Sequence, residues 1–305
     1  MKQITVTKPG KLVSIIIPTY KNRGNLSRAI DSALSQTYKN IEIIVIDDNN
    51  SDDKWRAETE QLMSQLYGNY PNIIYLKHTE NKNGAAARNT GIHNSRGQYI
   101  AFLDDDDYFK ENKIELQVKY LETHTEYDAV YCQCEKAGKI LATNLPIGNL
   151  AKDIFILKTH MYTPSLLFRK DSLIAIDGFD ESFRRHQDYE LLVRFFNSGY
   201  KIGAVNECLT VIGANQGENI PDGRKMEQLK IDFLNKFDAV IRSFSEQNPG
   251  YIKAVVARNY SSVFLAYLKN KDLKNSLRIM IKYAWLNPKY FFSPILRSLR
   301  IHILK

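Results

Sequence analysis

Four consecutive aspartates, Asp104, Asp105, Asp106 and Asp107, are the side chains of this sequence most suited to chemistry. They follow GQYIAFL (97–103), an apolar segment typical of a buried strand. Neighbouring carboxylates repel one another, so either solvent or a bound cation must offset their charge. A solvated loop and a divalent-cation site are therefore the two explanations to compare.

A second acidic cluster favours the cation site. DDNNSDD (47–53) follows the apolar run IEIIVI (41–46), so it also lies at the carboxyl end of a predicted strand. Ligands of parallel sheets bind beyond those strand ends. Sites with only oxygen ligands favour Mg²⁺ or Mn²⁺, which usually complete their coordination with water and substrate phosphates. The two clusters predict Mn²⁺ or Mg²⁺ together with a nucleoside diphosphate.

Three other classes of phosphate-handling protein fit less well. An aspartyl phosphatase and a phosphoacceptor receiver domain both carry their acids after the first strand, where this chain has Thr19 and Tyr20 after VSIIIP (13–18). A nucleotidyltransferase would open with a glycine-rich loop at that point, and the sequence has none there. The class that remains is a transferase whose leaving group is a metal-bound nucleoside diphosphate.

The pattern of apolar residues predicts an α/β fold. Strands and helices alternate with short connections, which indicates a Rossmann-like, mostly parallel sheet flanked by helices. The strands are predicted at 13–18, 41–47, 72–78, 97–104, 128–135 and 201–213, and the helices at 25–36, 55–67, 85–94, 112–123 and 188–197. Beyond Pro221 the chain is predicted to be helical, with one break at 248–250. We expect a catalytic domain at 1–220 and a helical C-terminal region at 221–305.

Composition places the chain among ordinary globular proteins, with 44% hydrophobic and 25% charged residues. It has no uninterrupted apolar run of about 18 residues, so no membrane-spanning helix is predicted. The N-terminal residues are polar and lack the centre of a secretion signal. Cys132, Cys134 and Cys208 have no disulfide or zinc spacing, which favours a cytoplasmic location.

The net charge of +8 is concentrated near the end of the chain. Residues 253–305 contain eleven Lys or Arg and one acid, Asp272, among many aromatic and aliphatic residues. Such helices can lie on an anionic membrane surface. The alternative is a helical bundle whose lysines are simply solvated. Nucleic acid is not an expected partner, because no nucleic-acid-binding motif accompanies the charge.

Five segments, in this order, resemble glycosyltransferase family 2, whose members have the GT-A fold. They are VSIIIPTYKN, IEIIVIDDNNSDD, NKNGAAARNTGI, GQYIAFLDDDDYF and HQDYELLVRF, and the resemblance covers about residues 12–215. It implies an inverting transfer from a nucleotide sugar, with Mn²⁺ or Mg²⁺ on the diphosphate. The predicted fold is therefore a GT-A domain with a C-terminal helical extension.

The resemblance also implies roles for individual residues. Asp106 is the expected metal ligand and Asp107 the start of the following loop. Asn83 is a rival to Asn81 for one position in the nucleotide pocket. The residues expected to bind the donor are Pro18, Thr19, Tyr20, Asp48, Asn81, Arg88, Asp104 and Asp105.

Asp188 is expected to be the catalytic base, because it matches the second acid of the Glu-Asp pair common in the family. This chain has Gln187 in place of the glutamate. A single displacement at an anomeric carbon needs a base for the acceptor hydroxyl and a Lewis acid for the departing diphosphate. Structural roles remain open: Arg88 could pair with Asp47 or Asp48, and Asp188 could be only a helix-start acid.

The function predicted from the sequence is transfer of a hexosyl or N-acetylhexosaminyl group, with a UDP-sugar as the default donor. The expected acceptor is a glycan or lipid-linked molecule of cell-surface polysaccharide synthesis. The expected location is the cytoplasm, with peripheral contact to the inner face of the membrane. NQGENI (215–220) is expected to close over the site. The non-enzymatic alternative is a module that binds a nucleotide sugar or glycan and holds an ion in its acidic loop.

Overall fold

The computed structural model describes residues 10–21, 24–213, 221–246 and 248–303, so the predicted closing loop at 215–220 lies outside the described residues. The chain divides into two compact units. The first comprises Met1–Asn149 and Met161–Ala214, and the second Leu150–His160 and Asn215–Lys305. Residues 150–160, which the predicted division assigned to the catalytic domain, therefore cluster with the C-terminal helices.

Four parallel strands form the part of the sheet that carries the predicted site. They are β1 (Val13–Thr19), β2 (Ile41–Asp47), β3 (Ile73–Lys77) and β4 (Tyr99–Phe102), in the order β3-β2-β1-β4. Helices α1 (Leu26–Leu34), α2 (Lys54–Leu62) and α3 (Gly84–Asn94) connect them. The β-branched sequences of β1 and β2 are almost wholly buried, as expected for strands covered on both faces.

Local side chains set where these helices begin and how closely they pack. Asp53 accepts a hydrogen bond from Trp55 N at the start of α2, and Asn83 accepts one from Ala85 N at the start of α3. Gly91 lets α3 lie against the sheet, because a Cβ atom there would come within 2.4 Å of Ile16. The last turn of the predicted 55–67 helix is a π-helical turn, Met63–Tyr67.

The rest of the first unit extends this sheet with shorter and partly antiparallel strands. The remaining strands are β5 (Tyr108–Phe109), β6 (Ala129–Lys136), β7 (Lys139–Ile140), β8 (Leu166–Arg169) and β9 (Ile202–Ile212), and the helices are α4 (Lys113–Thr123), α6 (Lys170–Ile174) and α7 (Gln187–Asn197), while α5 (Ala151–Phe155) belongs to the second unit. Among the described residues the order continues from β4 as β8-β6-β9-β5, with β7 paired to β6 and β6 parallel to β9. Strands β5, β7 and β8 were not among those predicted.

Pro18 shows how β1 ends beside the aspartate run. Leu103 N donates to Ile16 O, so this edge of β1 faces β4. Pro18 lies two residues further along and faces the same side, where β4 has already ended. The missing proline N–H therefore costs the sheet no hydrogen bond, and the backbone is left open toward residues 104–107.

The second unit consists of helices, as predicted, although they have more breaks than the single one expected. They are α5, α8 (Gly223–Lys236), α9 (Asp238–Glu246), α10 (Tyr251–Lys269), α11 (Leu273–Tyr283) and α12 (Pro288–Ile303). Ala257, Val263, Ile279 and Phe291 form part of its buried core. Asn259 Nδ2 donates to Phe155 O over 2.8 Å, which attaches α5 to α10. Among the described residues, no helix is long and apolar enough to cross a membrane.

Candidate active site

The carboxyl ends of β1, β2 and β4 bring the two predicted acidic clusters to one edge of the sheet. Thr19 Oγ1, at the end of β1, donates to Asp105 Oδ2 over 2.6 Å. Asp48 N, just after β2, donates to Thr19 O over 2.9 Å. Tyr20 follows Thr19 and keeps 42% of its surface exposed. Thr19 thus joins both clusters, and the exposed Tyr20 ring lies next to it in the chain.

The two acids at the end of β2, Asp47 and Asp48, have different surroundings. Asp47 is fully buried and pairs with Arg56 Nε at 2.9 Å, and Tyr75 donates to it over 2.6 Å. The contacts of Asp47 therefore indicate a structural role. A structural pair between Arg88 and Asp47 or Asp48 was one expectation, but Asp47 pairs with Arg56 and Arg88 pairs with Asp104.

The Asp48 carboxylate accepts four hydrogen bonds from the loop at 78–83. Oδ1 accepts from Lys82 N and pairs with His78 Nδ1, and Oδ2 accepts from Asn81 Nδ2 and Asn83 N, all at 2.7–3.0 Å. A carboxylate offers about four lone-pair directions, so these four donors fill the hydrogen-bonding capacity of Asp48. Asn81 is the only side-chain amide among them. Asp48 and Asn81, each predicted to bind the donor, are in direct contact.

Arg88, on α3, links distant parts of the first unit. Its Nη2 pairs with Asp104 Oδ1 at 2.6 Å, and its Nη1 donates to Gln187 Oε1 over 2.8 Å. The guanidinium carbon lies 5.5 Å from the centre of the Phe179 ring. Arg88 Nε is buried and makes no hydrogen bond to the described part of the chain.

The four aspartates of the run are not equivalent. Asp104 is one-third exposed and is paired with Arg88, whereas Asp107 is almost fully buried and accepts a hydrogen bond from Gly213 N over 2.7 Å. Burial, and then the charge of Asp104, raise the pKa of Asp107 to about 8. Burial and Asp104 also raise the pKa of Asp106. Each raised pKa means that the carboxylate form is disfavoured where it stands.

These surroundings fit a divalent cation, which would offset that cost. All the donors in the run are carboxylate oxygens, the ligand type that Mg²⁺ and Mn²⁺ prefer. Within the described residues, no three His, Cys, Asp or Glu side chains are arranged to hold a metal ion by themselves. A cation at Asp106 would therefore depend on oxygens from substrate or water for the rest of its coordination.

Asp188 lies in the first turn of α7, directly after Gln187. Its Oδ1 accepts a hydrogen bond from Tyr189 N over 2.9 Å. His186 precedes the helix in a left-handed conformation, with φ of 56°. The positive end of the helix dipole favours the ionised carboxylate. Because Gln187 is bound to Arg88, the start of α7 is tied to Asp104 through one side chain.

Three contacts at this site were not anticipated. His78 binds Asp48; a lone histidine at the end of a predicted strand was the only available signal. Arg28 Nη2 donates to Asp106 O over 2.6 Å, a contact that no sequence pattern indicates because Arg28 lies outside the apolar face of α1. Asp107 was expected only to begin a loop, but its hydrogen bond also holds the end of β9.

Comparison with known proteins adds to this geometry. The model of the family described as "Glycosyl transferase family 2" matches residues 14–192. An "Uncharacterized glycosyltransferase" of Rickettsia felis is 31% identical over 275 residues, covering 87% of this chain. WfaP of Escherichia coli, a "UDP-Glc:alpha-D-GlcNAc-diphosphoundecaprenol beta-1,3-glucosyltransferase", is 43% identical over 113 residues, 37% of this chain. The chain spans only 42% of the length of each of these relatives.

A solved structure supports the fold assignment. S. aureus TarS 1–349 in complex with UDP-GlcNAc superimposes with a TM-score of 0.62, covering 90% of this chain and 91% of that one, at 17% identity. At that identity the likeness concerns the fold alone, and it confirms the predicted GT-A architecture. The family match covers more than half of the chain and includes the strand ends that carry Asp48 and Asp104. This chain belongs to glycosyltransferase family 2.

Proposed function

We propose that the chain is an inverting glycosyltransferase that takes a hexosyl or N-acetylhexosaminyl group from a nucleotide sugar, with a UDP-sugar as the preferred donor. The observation that carries this proposal is the position of Arg88, which binds both Asp104 and Gln187. It joins the aspartate run to the residue beside Asp188. WfaP, named for its use of UDP-Glc, and the TarS complex with UDP-GlcNAc support the donor class.

The donor would lie along the ends of β1 and β2. The exposed Tyr20 ring provides a flat surface for the base, next to Pro18 and Thr19. Asp48 would read the base edge after exchanging its bond from Asn81 for one from the base N–H. Arg88, paired with Asp104, would place its positive charge near the diphosphate. Asp104 and Asp105 would line the ribose and diphosphate.

The cation proposal concerns Asp106. When bound, Mn²⁺ or Mg²⁺ would neutralise the charge that develops on the departing diphosphate. Asp106 is the proposed ligand, and Arg28 fixes its backbone carbonyl. Burial and the charge of Asp104 raise the pKa of Asp106 in spite of the opposing charges of Lys136 and Arg28, and a bound cation would stabilise the carboxylate form.

The proposed base is Asp188. Its carboxylate takes the proton of the acceptor hydroxyl while that oxygen forms a bond to the anomeric carbon. The bond from that carbon to the diphosphate oxygen breaks, and its electron pair leaves with the nucleotide. Because attack and departure occur on opposite faces, the anomeric configuration inverts.

The proposed acceptor is a glycan or lipid-linked glycan of cell-surface polysaccharide synthesis. WfaP acts on a sugar linked to diphosphoundecaprenol, as its name states, and this supports the acceptor class. The basic residues within 253–305 would bring the enzyme to an anionic membrane surface on its cytoplasmic side. The acceptor would then be reached without a membrane-spanning segment in the described helices.

A donor panel tests the proposal. The chain is incubated with Mn²⁺, labelled UDP-sugars and lipid-linked or free glycan acceptors, and both nucleotide release and labelled product are measured. We expect one UDP-sugar to give product that depends on the acceptor. Binding of a nucleotide sugar with no transfer to any acceptor would instead favour the non-catalytic binding module.

A further inference from the structure

The exposed side of α11, continued by the 3₁₀ turn Ala284–Leu286, carries a row of large apolar side chains. Leu273, Leu277 and Ile281 of α11 are 67%, 51% and 66% exposed, and Trp285 of the following turn is 68% exposed. The three α11 residues recur at every fourth position, so each lies about one helical turn beyond the previous one. Burying such side chains releases free energy, and an exposed row of them marks an interaction surface.

This row differs from the other exposed apolar residues of the protein. In the first unit the described examples include Leu66, Ile140 and Ile174, which are far apart in sequence and lie on different elements. The opposite side of α11 is already in use, because Ser276 and Ile279 are buried in the second unit. The apolar row therefore remains exposed to solvent after the other side of α11 has packed against the second unit.

A row of basic residues runs beside the apolar one. Lys274, Arg278 and Lys282 are also spaced by four residues and are all exposed. Arg278 forms a double hydrogen bond with Glu227, at 2.6 and 3.1 Å, so its charge is partly compensated. Helix α11 contains no acid; Asp272 precedes it and accepts a hydrogen bond from Asn275 N. The positive charge next to the apolar row thus comes mainly from the two lysines.

We propose that the α11 face, made of Leu273, Leu277, Ile281 and Trp285 with Lys274 and Lys282, binds an anionic lipid bilayer at its headgroup region. Long aliphatic side chains beside lysines, with a tryptophan at one end, suit the boundary between acyl chains and charged headgroups. The inference rests on the proposed function only for its biological setting, since a lipid-linked acceptor is presented at such a surface.

Charge and size favour a bilayer over a protein partner. A second copy docking through the same face would bring the two lysine rows together, and like charges oppose that contact. Four side chains from one helix also expose less area than the roughly 800 Å² per partner of a stable protein interface. A fluid bilayer needs no matching shape, and its anionic headgroups attract the lysines.

Vesicle flotation and Trp285 fluorescence test the α11 face directly. The chain has two tryptophans, so Trp55→Phe leaves Trp285 as the single reporter. With vesicles containing about 30% phosphatidylglycerol we expect flotation and a shift of the emission to shorter wavelength. Neutral phosphatidylcholine vesicles and about 0.5 M salt should both weaken binding.

Matched variants separate the apolar and the basic contributions. Leu277→Gln with Ile281→Gln should lower the partition coefficient at least about tenfold, whereas the control pair Leu66→Gln with Ile174→Gln should not. Lys274→Gln with Lys282→Gln should lower binding to anionic vesicles about tenfold and reduce its salt dependence. The control pair Lys119→Gln with Lys139→Gln replaces exposed lysines of the first unit. It should leave both vesicle binding and its salt dependence unchanged.

Three outcomes would overturn the inference. They are an absence of flotation, equal losses in the α11 and control variants, and a Trp285 shift that depends on protein concentration without vesicles. The last would indicate a second copy on this face. UDP binding with Mn²⁺, measured by thermal shift on the same samples, separates the two proposals. If the protein binds vesicles but does not bind UDP with Mn²⁺, the result counts against the proposed function and not against the α11 face.

Discussion

Arg88 Nη1 donates a 2.8 Å hydrogen bond to Gln187 Oε1, although the two residues are 99 positions apart in the chain. The same guanidinium pairs with Asp104 at 2.6 Å. Gln187 precedes the proposed base, and Asp104 begins the aspartate run. The Arg88 side chain therefore fixes the position of the proposed leaving-group side of the site relative to the proposed acceptor side. Changes at Arg88 or Gln187 should disturb that register without removing either acid.

Gln187→Glu should preserve the contact with Arg88 and add a negative charge beside Asp188. A neighbouring carboxylate disfavours ionisation, so the pKa of Asp188 should rise relative to its value in the parent chain. We expect the acid limb of the pH profile of kcat/KM to move to higher pH. Gln187→Leu removes the contact and should lower kcat/KM about tenfold without that movement. An identical pH profile for Gln187→Glu would show that position 187 does not act on the base.

Arg88→Ala should weaken both the fold and donor binding. It leaves Asp104 without its cation, and we expect a loss of about 1–3 kcal/mol in the free energy of unfolding, because Asp104 is partly solvated. Urea unfolding measures this loss. The control Arg242→Ala breaks the pair with Asp238, whose side chains are 67% and 50% exposed, and should cost less than about 1 kcal/mol. Equal losses would mean that the Arg88 pair is an ordinary surface ion pair.

Asp106→Asn tests the cation proposal. In the parent chain, Mn²⁺ with UDP should raise the melting temperature, and EDTA should abolish the increase, because ligand binds only the folded state. Asp106→Asn should lose most of the increase and reduce transfer at least about a hundredfold. Asp52→Asn, in the exposed part of the second acidic cluster, is the matched control and should behave like the parent. A full Mn²⁺ response in Asp106→Asn would place the cation elsewhere.

Lys113 gives a prediction about pH and stability. It is completely buried, its Nζ donates to Gln117 Oε1 over 2.7 Å, and it lies 4.1 Å from the centre of the Phe109 ring. Burial lowers its pKa to about 8, although Cys132 and Cys134 act in the opposite direction. Between about pH 8 and 10.5 the unfolded chain keeps a proton that the folded chain has released, so stability from this group rises with pH.

Lys113→Met should therefore make the protein more stable than the parent at neutral pH, and this difference in stability should disappear at alkaline pH. We expect the free energy of unfolding, variant minus parent, to fall by about 2 kcal/mol between pH 7 and pH 10. Urea titrations at both pH values measure it. Lys119→Met, an exposed lysine of the same helix, corrects for other groups and should show no such change. A difference independent of pH would mean that Lys113 keeps an ordinary pKa in the folded protein.

The main strands and the meeting of the two acidic clusters were predictable, because continuous apolar runs such as those of β1 and β2 indicate buried parallel strands. The contact of Arg28 with Asp106 was not predictable, since it depends on where the backbone of Asp106 turns. Helix α5 was assigned to the other domain because five residues contain too little periodicity. Its place is set by contacts of Phe155 with Phe233 and Phe237 that no local pattern encodes. The exposure of the α11 row likewise depends on which side of that helix packs.

The most direct test of the central claim compares donor binding with transfer in Asp188→Asn. The substitution keeps the size of the side chain and removes its ability to take a proton. We predict that affinity for the nucleotide sugar with Mn²⁺ stays within about threefold of the parent, while the rate of transfer falls at least about a hundredfold. The control Asp171→Asn changes an acid in the first turn of another helix, α6, and should transfer normally. Transfer by Asp188→Asn at the parental rate would contradict the account.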